Sequence, residues 1–311
     1  MIFSEYSKYS KERPVISFEI FPPNTTKGME NLYNVISDLA QLGPDYITVT
    51  YGAMGSTRDK TLEIATLIKD KFGVDSACHL TCVGSSRSEL DTILSLIYDA
   101  GIRNIVAIRG DPPSGESTFI PPEDGYKYGS ELVEHIRAFE AGRQLKGYFG
   151  IAVGGYPEKH LEASDIETDI ENLKLKIEAG ADIVKTQLFF DNSYYFDFVD
   201  RVRRKGITVP IIPGLMPILS AKQIERITSM CGSSIPDELK NKLDEVEGDD
   251  CKERNIGISQ CIKQASELLD SGVPGLHFYV LNKSEHMKEI IQSLGVGSYK
   301  QNSDKYALNK P

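Results

Sequence analysis

The chain alternates between two hydrophobic rhythms. Apolar runs of six to eight residues, rich in Val and Ile, are separated by longer segments in which apolar residues return every three or four positions. The first rhythm suits buried parallel strands and the second amphipathic helices. Eight strand candidates follow in order: "VISFEIF" (15 to 21), "YITVTY" (46 to 51), "SACHLTC" (76 to 82), "NIVAIRG" (104 to 110), "YFGIAVGG" (148 to 155), "DIVKTQLF" (182 to 189), "VPIIPG" (209 to 214) and "GLHFYVL" (275 to 281). Each precedes a helical segment, and most of those segments end in glycine, the residue that most easily takes the left-handed position after a helix. Eight such pairs predict an α/β fold, a closed (β/α)8 TIM barrel in preference to a doubly wound open sheet.

Two stretches break the beat. "GDPPSGESTFIPPEDGYKYG" (110 to 129) is a long Pro/Gly-rich loop after strand 4, of a length that usually marks function or disorder. Residues 236 to 272 are an acidic helical insertion before strand 8, and their run "DEVEGDD" reads as solvated surface. A single catalytic barrel over 1–296 and a polar, loosely held tail over 297–311 complete the expected organisation.

Composition narrows the function. At 40% hydrophobic, 26% charged and net charge −10, the chain lacks the basic stripe of a nucleic-acid binder. No apolar run approaches the roughly 18 residues of a membrane span. The opening "MIFSEYSKYSKER" is polar throughout, so a cytoplasmic protein without membrane contact is expected. Five cysteines, an odd number, fit reduced thiols. Cys78 and Cys82 would lie ~13 Å apart along a strand at ~3.3 Å per residue, too far to share a zinc ion, and are expected as buried thiols. "YPEKH" has too few ligands for a metal site, so no metal is expected. Neither GxxxxGK[ST] nor a GxGxxG after a strand occurs, and any nucleotide must bind by other means.

Barrel enzymes carry their chemistry at the C-terminal strand ends. Glu19, Thr50, Tyr51, His79, Arg109, Asp111, Tyr156, His160, Gln187 and Tyr279 all fall there. Glu19 is the most demanding: a carboxylate in an apolar run, just ahead of Pro22 and Pro23, costs several kcal/mol unless paired, hydrogen-bonded or protonated. The plainer readings are a hydrogen-bonded core imidazole for His79 and a strand cap for Tyr279. Lys185, inside strand 6, is expected in a buried ion pair rather than as a Schiff-base lysine. Asp169, Asn172 and Lys176 fall at i, i+3 and i+7 on one helix face, which is either solvated or clasps a polar cofactor.

Taken in order, "SFEIFPP", "VTYGA", "HLTC", "IVAIRGDPP", "YPEKH", "DIENLKLKIEAGA", "TQLFFD", "IIPGLMP" and "HFYVLN" closely resemble the methylenetetrahydrofolate reductase family, from about residue 14 to about 296, in its short bacterial form. The resemblance implies an FAD-dependent oxidoreductase that reduces 5,10-methylenetetrahydrofolate to 5-methyltetrahydrofolate with NADH or NADPH by a ping-pong mechanism. It further implies a role in one-carbon metabolism and methionine synthesis, and a homo-oligomer, dimer or tetramer. The family's FAD contacts carry over to Thr50, Tyr51, Ala53, His79, Arg109, Gly110, Asp111, Tyr128, Gly129, Tyr156, His160, Ala163, Asp169, Asn172 and Lys176. Glu19 matches the catalytic general acid, with Phe18, Ile20 and Phe21 expected to raise its pKa toward the working pH. Asp111 matches a second catalytic position. Asp111, Gln187, Tyr279 and Lys283 are the expected folate contacts.

Two positions depart from the family pattern: Lys283 stands where relatives commonly show arginine, and Ala221 follows the "PGLMP" loop where relatives often carry an aromatic. A barrel aldolase would need a Gly-rich phosphate loop after strands 7 and 8, which read "PGLMPILS" and "FYVLNKSE". A binding subunit without turnover is disfavoured by the intact Glu19, Asp111 and Gln187.

Overall fold

A computed structural model describes residues 1–51, 58–110 and 121–297. Eight parallel strands close a barrel in chain order: β1 (Val15–Ile20), β2 (Tyr46–Val49), β3 (Asp75–Thr81), β4 (Asn104–Ile108), β5 (Gly150–Gly155), β6 (Ile183–Leu188), β7 (Ile211–Leu215) and β8 (Gly275–Tyr279). Every predicted strand is present. A short 3-10 turn (Phe3–Glu5) and α1 (Tyr6–Tyr9) precede the barrel. The helices that follow are α2 (Thr26–Gln41), α3 (Arg58–Phe72), α4 (Arg87–Asp99), α5 (Gly129–Gly142), α6 (Ile166–Glu178), α7 (Asn192–Arg204), α8 (Ala221–Cys231), α9 (Asp237–Asp244), α10 (Asp250–Asp270) and α11 (Glu285–Leu294). Side-chain caps start several of them: the Thr25, Asp165, Asp191 and Ser220 side chains each accept a first-turn N–H, and Ser86 and Glu89 form a reciprocal capping box.

Alternation along each strand divides the core in two. Outward residues such as Ile16, Phe18, Ile20, Ile47, Val49, Cys78 and Leu80 pack against the helices in one continuous cluster. Inside, the bottom of the barrel is apolar: Val15, Tyr46, Ala77, Val106, Ala152, Ile183 and Ile212 close around Phe3 and Tyr6 from the N-terminal segment. That plug was not foreseen, since "MIFSEYSKYS" shows no periodic stripe. Phe3 N–H donates to Asn104 Oδ1 at 2.8 Å, which fixes the plug to β4.

The seventh helix of the ring is not the one that follows β7 directly. Sequence order pointed to α8, but α10 carries Ile258, Cys261, Ala265 and Leu268 into the main core, packed between α7 and α11. Gly257 permits this approach, because a Cβ there would lie 1.9 Å from the Ile218 carbonyl oxygen. Helices α8 and α9 instead place Ile224, Leu239 and Leu243 over Leu188, Phe190, Met216 and Ile218 at the ends of β6 and β7. Only the acidic turn of the 236–272 segment is surface; its long helix is part of the barrel. Buried Glu253 joins the pieces, accepting Ala221 N–H at 2.8 Å and Gly248 N–H at 2.9 Å.

Candidate active site

Above the apolar floor the barrel interior turns polar. Ser17, Thr48, Lys185 and His277 are buried there, and the next inward positions present Glu19, His79, Gln187 and Tyr279 to the mouth. Register aligns Glu19 with Thr48 on one side and with Tyr279 on the other, and Ser17 with His277. Glu19 Oε2 accepts from His79 Nε2 and from His277 Nε2, both at 3.1 Å. Since His277 Nε2–H donates to the carboxylate, its Nδ1 accepts the Ser17 hydroxyl at 2.8 Å, which defines the tautomer.

This geometry corrects the expected electrostatics of Glu19. Burial would raise its pKa, but the charge of His79 and the hydrogen bonds from His277 and His79 outweigh burial and hold it well below the usual carboxylate range. Phe18 and Ile20 face the outer core and do not surround it. His277 is lowered to about 4 by burial and by the nearby Lys185, so it donates as a neutral imidazole near pH 7.

Lys185 is also a correction. It forms no ion pair with a described residue; its Nζ donates to Thr48 Oγ1 at 2.8 Å and lies over the rings of Tyr46 (4.8 Å) and Phe3 (5.3 Å). Burial lowers it to about 7, against the raising field of Glu19.

The rim around Glu19 is fixed by contacts that sequence reasoning missed. Asn282 clamps the chain just past β1, accepting Phe21 N–H at 3.0 Å and donating to Phe21 O at 2.8 Å. Leu281 and Asn282 pay for that turn with φ of +50° and +55°, left-handed conformations unusual for a leucine. Tyr279 donates to Thr186 O at 2.7 Å and covers Gly214, where a Cβ would come within 2.7 Å of its ring. Gln187 sits where the β6–β7 register shifts, a bulge that re-aims its side chain; its Oε1 accepts Leu188 N–H at 2.9 Å.

A second group forms a crescent over the ends of β4 and β5. Arg109 is held by Glu162 through two bonds of 2.5 and 2.7 Å. Buried Asp169 accepts His160 N–H at 3.0 Å, and Tyr156 meets the His160 ring edge-on at 4.6 Å. Lys176 donates to Gly154 O at 3.0 Å, so the Asp169 and Lys176 ends of the predicted helix face turn inward while Asn172 stays exposed. Gly129 opens α5 against the end of β4, where a Cβ would make ordinary van der Waals contact with Arg109 N at 3.6 Å, and Tyr128 is exposed beside it. Gly110 takes a left-handed φ of +91° against Val83. Ala163 closes the turn, its carbonyl accepting Lys159 Nζ at 2.7 Å. Thr50 is fixed by its backbone, N–H to Ile20 O at 2.9 Å, and Tyr51 lines a small apolar recess beside Cys78 and His79.

Lys283 is exposed and lines a cleft of about 380 Å³ with Ser220, Arg254 and His286, apart from the Glu19 cluster. Ala221 sits at the first position of α8, in the cluster over Met216. A cavity of about 580 Å³ between α7, α9 and α10 contains none of the predicted site residues. Cys78 and Cys82 are buried free thiols, pushed up to about 12 and about 11 by burial. Ala53 and Asp111 lie outside the described residues, as do 298–311 of the expected tail. Among the described residues no group of three metal-ligating side chains converges, and no helix is long and apolar enough to cross a membrane.

The fold and this mouth define a class: a (β/α)8 barrel with an acid held by imidazoles at its C-terminal face and a mixed-charge crescent beside it. Residues 5–295 match the methylenetetrahydrofolate reductase family, and the chain belongs to it. It is 38% identical to 5,10-methylenetetrahydrofolate reductase of Escherichia coli over 281 residues, covering 90% of both chains. It is 39% identical over 293 residues to methylenetetrahydrofolate reductase (NADH) 1 of Zea mays, covering 91% of this chain and 49% of that one. It thus spans about half the length of its plant relatives. A solved structure from Clostridium thermocellum, described as an uncharacterized protein that binds two copies of 5-methyl-5,6,7,8-tetrahydrofolic acid, shares the fold with a TM-score of 0.61 at 18% identity, over 93% of this chain and 97% of that one.

Proposed function

We propose that the chain reduces 5,10-methylenetetrahydrofolate to 5-methyltetrahydrofolate with NADH or NADPH through bound FAD, in two half-reactions that share one site. Glu19 is the observation that carries this reading: a carboxylate at the barrel mouth, reachable from solvent yet held by two imidazoles. The folate's five-membered ring has to open before its bridging carbon can accept hydride, and opening requires a proton at N10. Glu19 supplies it. A ring seated over the carboxylate removes its remaining water, and desolvation raises a carboxyl pKa. A proton taken up from solvent is therefore held more firmly on Glu19 with substrate in place than in the free protein, and it is this proton that passes to N10.

The crescent suits a dinucleotide by the chemistry of its donors. Arg109, Lys176 and the start of α5 offer positive field for phosphates, and Asp169 and His160 offer partners for hydroxyls. FAD bound there would carry hydride from the nicotinamide to the folate. Thr50, Tyr51, Ala53, His79, Gly110, Tyr128, Gly129, Tyr156, Ala163 and Asn172 complete its contacts in this reading. Asp111, Gln187 and Tyr279 complete those of the folate, while Lys283, in the separate cleft with Ser220, Arg254 and His286, would meet only a part of the substrate remote from Glu19. The product feeds methionine synthesis, and the chain works as a cytoplasmic homo-oligomer. NADH is the first donor to try, since the maize relative's name specifies it.

An anaerobic visible spectrum of the purified protein tests the reading. A yellow protein that bleaches with NADH or NADPH and regains colour with methylenetetrahydrofolate supports it. A protein that stays colourless after incubation with FAD overturns the cofactor assignment.

A further inference from the structure

Lys185 is 5% exposed in the middle of the barrel interior. Its side chain leaves β6 and meets Thr48 on β2, the strand directly opposite in the closed order. Small residues clear its way on one side: Gly154 flanks it in register, and Ala77 and Ala152 line the interior below, while Ile212 packs on its other flank. A buried ammonium with one hydroxyl partner is a costly arrangement, and nothing in the proposed chemistry touches it. Thr48 is the register neighbour of Glu19, and Ser17 and His277 complete the same polar layer.

We propose that Lys185 is a positioning residue for the acid: its cation, braced across the barrel on Thr48, governs where the proton resides in the Glu19, His277 and His79 cluster. The inference rests on the reading of Glu19 as acid. When Glu19 protonates the substrate, its O–H bond breaks, an N–H bond forms on the folate, and a carboxylate is left in a nearly closed site. Below about pH 7, where Lys185 carries its proton, the cation beneath stabilises that carboxylate as it forms. The same cation opposes a second positive charge on His277, keeping that imidazole a neutral donor to Glu19.

Among the described residues, the ionisable groups around Lys185 inside the barrel are Glu19 from β1, Tyr46 from β2, His79 from β3, His277 and Tyr279 from β8, and Tyr6 from α1 below. Strands β4, β5 and β7 contain no ionisable residue. The sign of the effect follows. With Lys185 charged, both Glu19 and His277 lose protons more easily; without it, both hold them to higher pH.

Lys185→Met tests this, because it keeps length and removes charge. Two readouts are taken against pH: the side-chain NMR titration of His277, assigned by its loss in His277→Gln, and the rate of flavin reoxidation by methylenetetrahydrofolate in stopped flow. We expect the His277 midpoint to rise by about one unit or more, and the ionisation limiting reoxidation to move the same way, while flavin reduction by NADH keeps its pH dependence. Unmoved midpoints in a folded Lys185→Met protein would overturn the proposal. If that variant does not fold, Thr48→Val, which removes the one hydroxyl partner and so weakens the lysine's hold on its proton, is expected to shift both readouts in the same direction; no shift there overturns it equally. The NMR titration needs no flavin chemistry, so failure of the proposed function in the wild-type protein is read separately, as absent bleaching or recovery of colour.

Discussion

The lower and upper halves of the barrel interior obey the same alternation of side chains and are filled in opposite ways. Below, Phe3, Tyr6, Val15, Ile183 and Ile212 close an apolar floor. Above, Ser17, Thr48, Lys185, His277, His79 and Glu19 place four ionisable groups within one polar layer. Gly154 and Gly214 stand where larger residues would occupy the space. The floor makes the barrel stable enough to carry the cost of the mouth. Polar and ionisable groups buried at a site are a stability loss that a well-packed floor offsets.

The sharpest way to break this comparison is at Glu19. Glu19→Gln keeps the size and a hydrogen-bond acceptor but cannot give up a proton. Folate-driven reoxidation should fall by roughly 100- to 10,000-fold, while reduction by NADH is retained, because that half-reaction needs no acid at this position. Stopped-flow absorbance resolves the two. Equal loss of both would mean that Glu19 acts on the flavin and not on the folate.

The floor should give the reverse pattern. Phe3 is 1% exposed, and Phe3→Ala empties the centre of the plug. A loss of about 3–5 kcal/mol is expected from deletion of a buried phenyl ring, read from denaturant unfolding. Reduction by NADH should keep its rate in the protein that remains folded, and folate-driven reoxidation should change far less than in Glu19→Gln, since Phe3 meets the mouth through its ring 5.3 Å from Lys185 Nζ. A loss of folate turnover as large as that of Glu19→Gln would show that floor and mouth are mechanically coupled.

What was legible in the sequence follows the same division by range. The strands could be read because parallel strands buried on both faces are continuous apolar runs, and Glu19 stood out because nothing local could satisfy it. His277 has the parity of Tyr279 on β8 and register with Ser17, a signal that was present, but its meaning depends on a partner 258 residues away. Asn282 and Phe21 are separated by 261 residues, and no periodicity announces such a clamp. The stripe of α10, Ile258, Cys261, Ala265 and Leu268, has helical spacing throughout. Chain order puts α8 directly after β7, but spatial order gives the place in the ring to α10. The pKa of Glu19 departs from the sequence expectation for a related reason: its neighbours in sequence are not its surroundings, since on a strand they face the other way.

Glu162 sharpens the comparison on the crescent side, with the smallest expected effect. Its carboxylate holds Arg109 in two hydrogen bonds, the geometry that a phosphate would claim. The side chain of Glu162 is 55% exposed, and an exposed pair contributes about 0.2–1 kcal/mol. Glu162→Gln should therefore leave folding stability nearly unchanged and tighten FAD by a few-fold at most, since the guanidinium no longer has to leave a charged partner. Fluorescence titration of the flavin-stripped protein with FAD at low and high salt measures this, and the gain should shrink as salt screens the competing ion pair. A weaker affinity would place Glu162 among the groups that hold the cofactor, and the Arg109 pair would then be part of the bound arrangement and no longer a competitor to it.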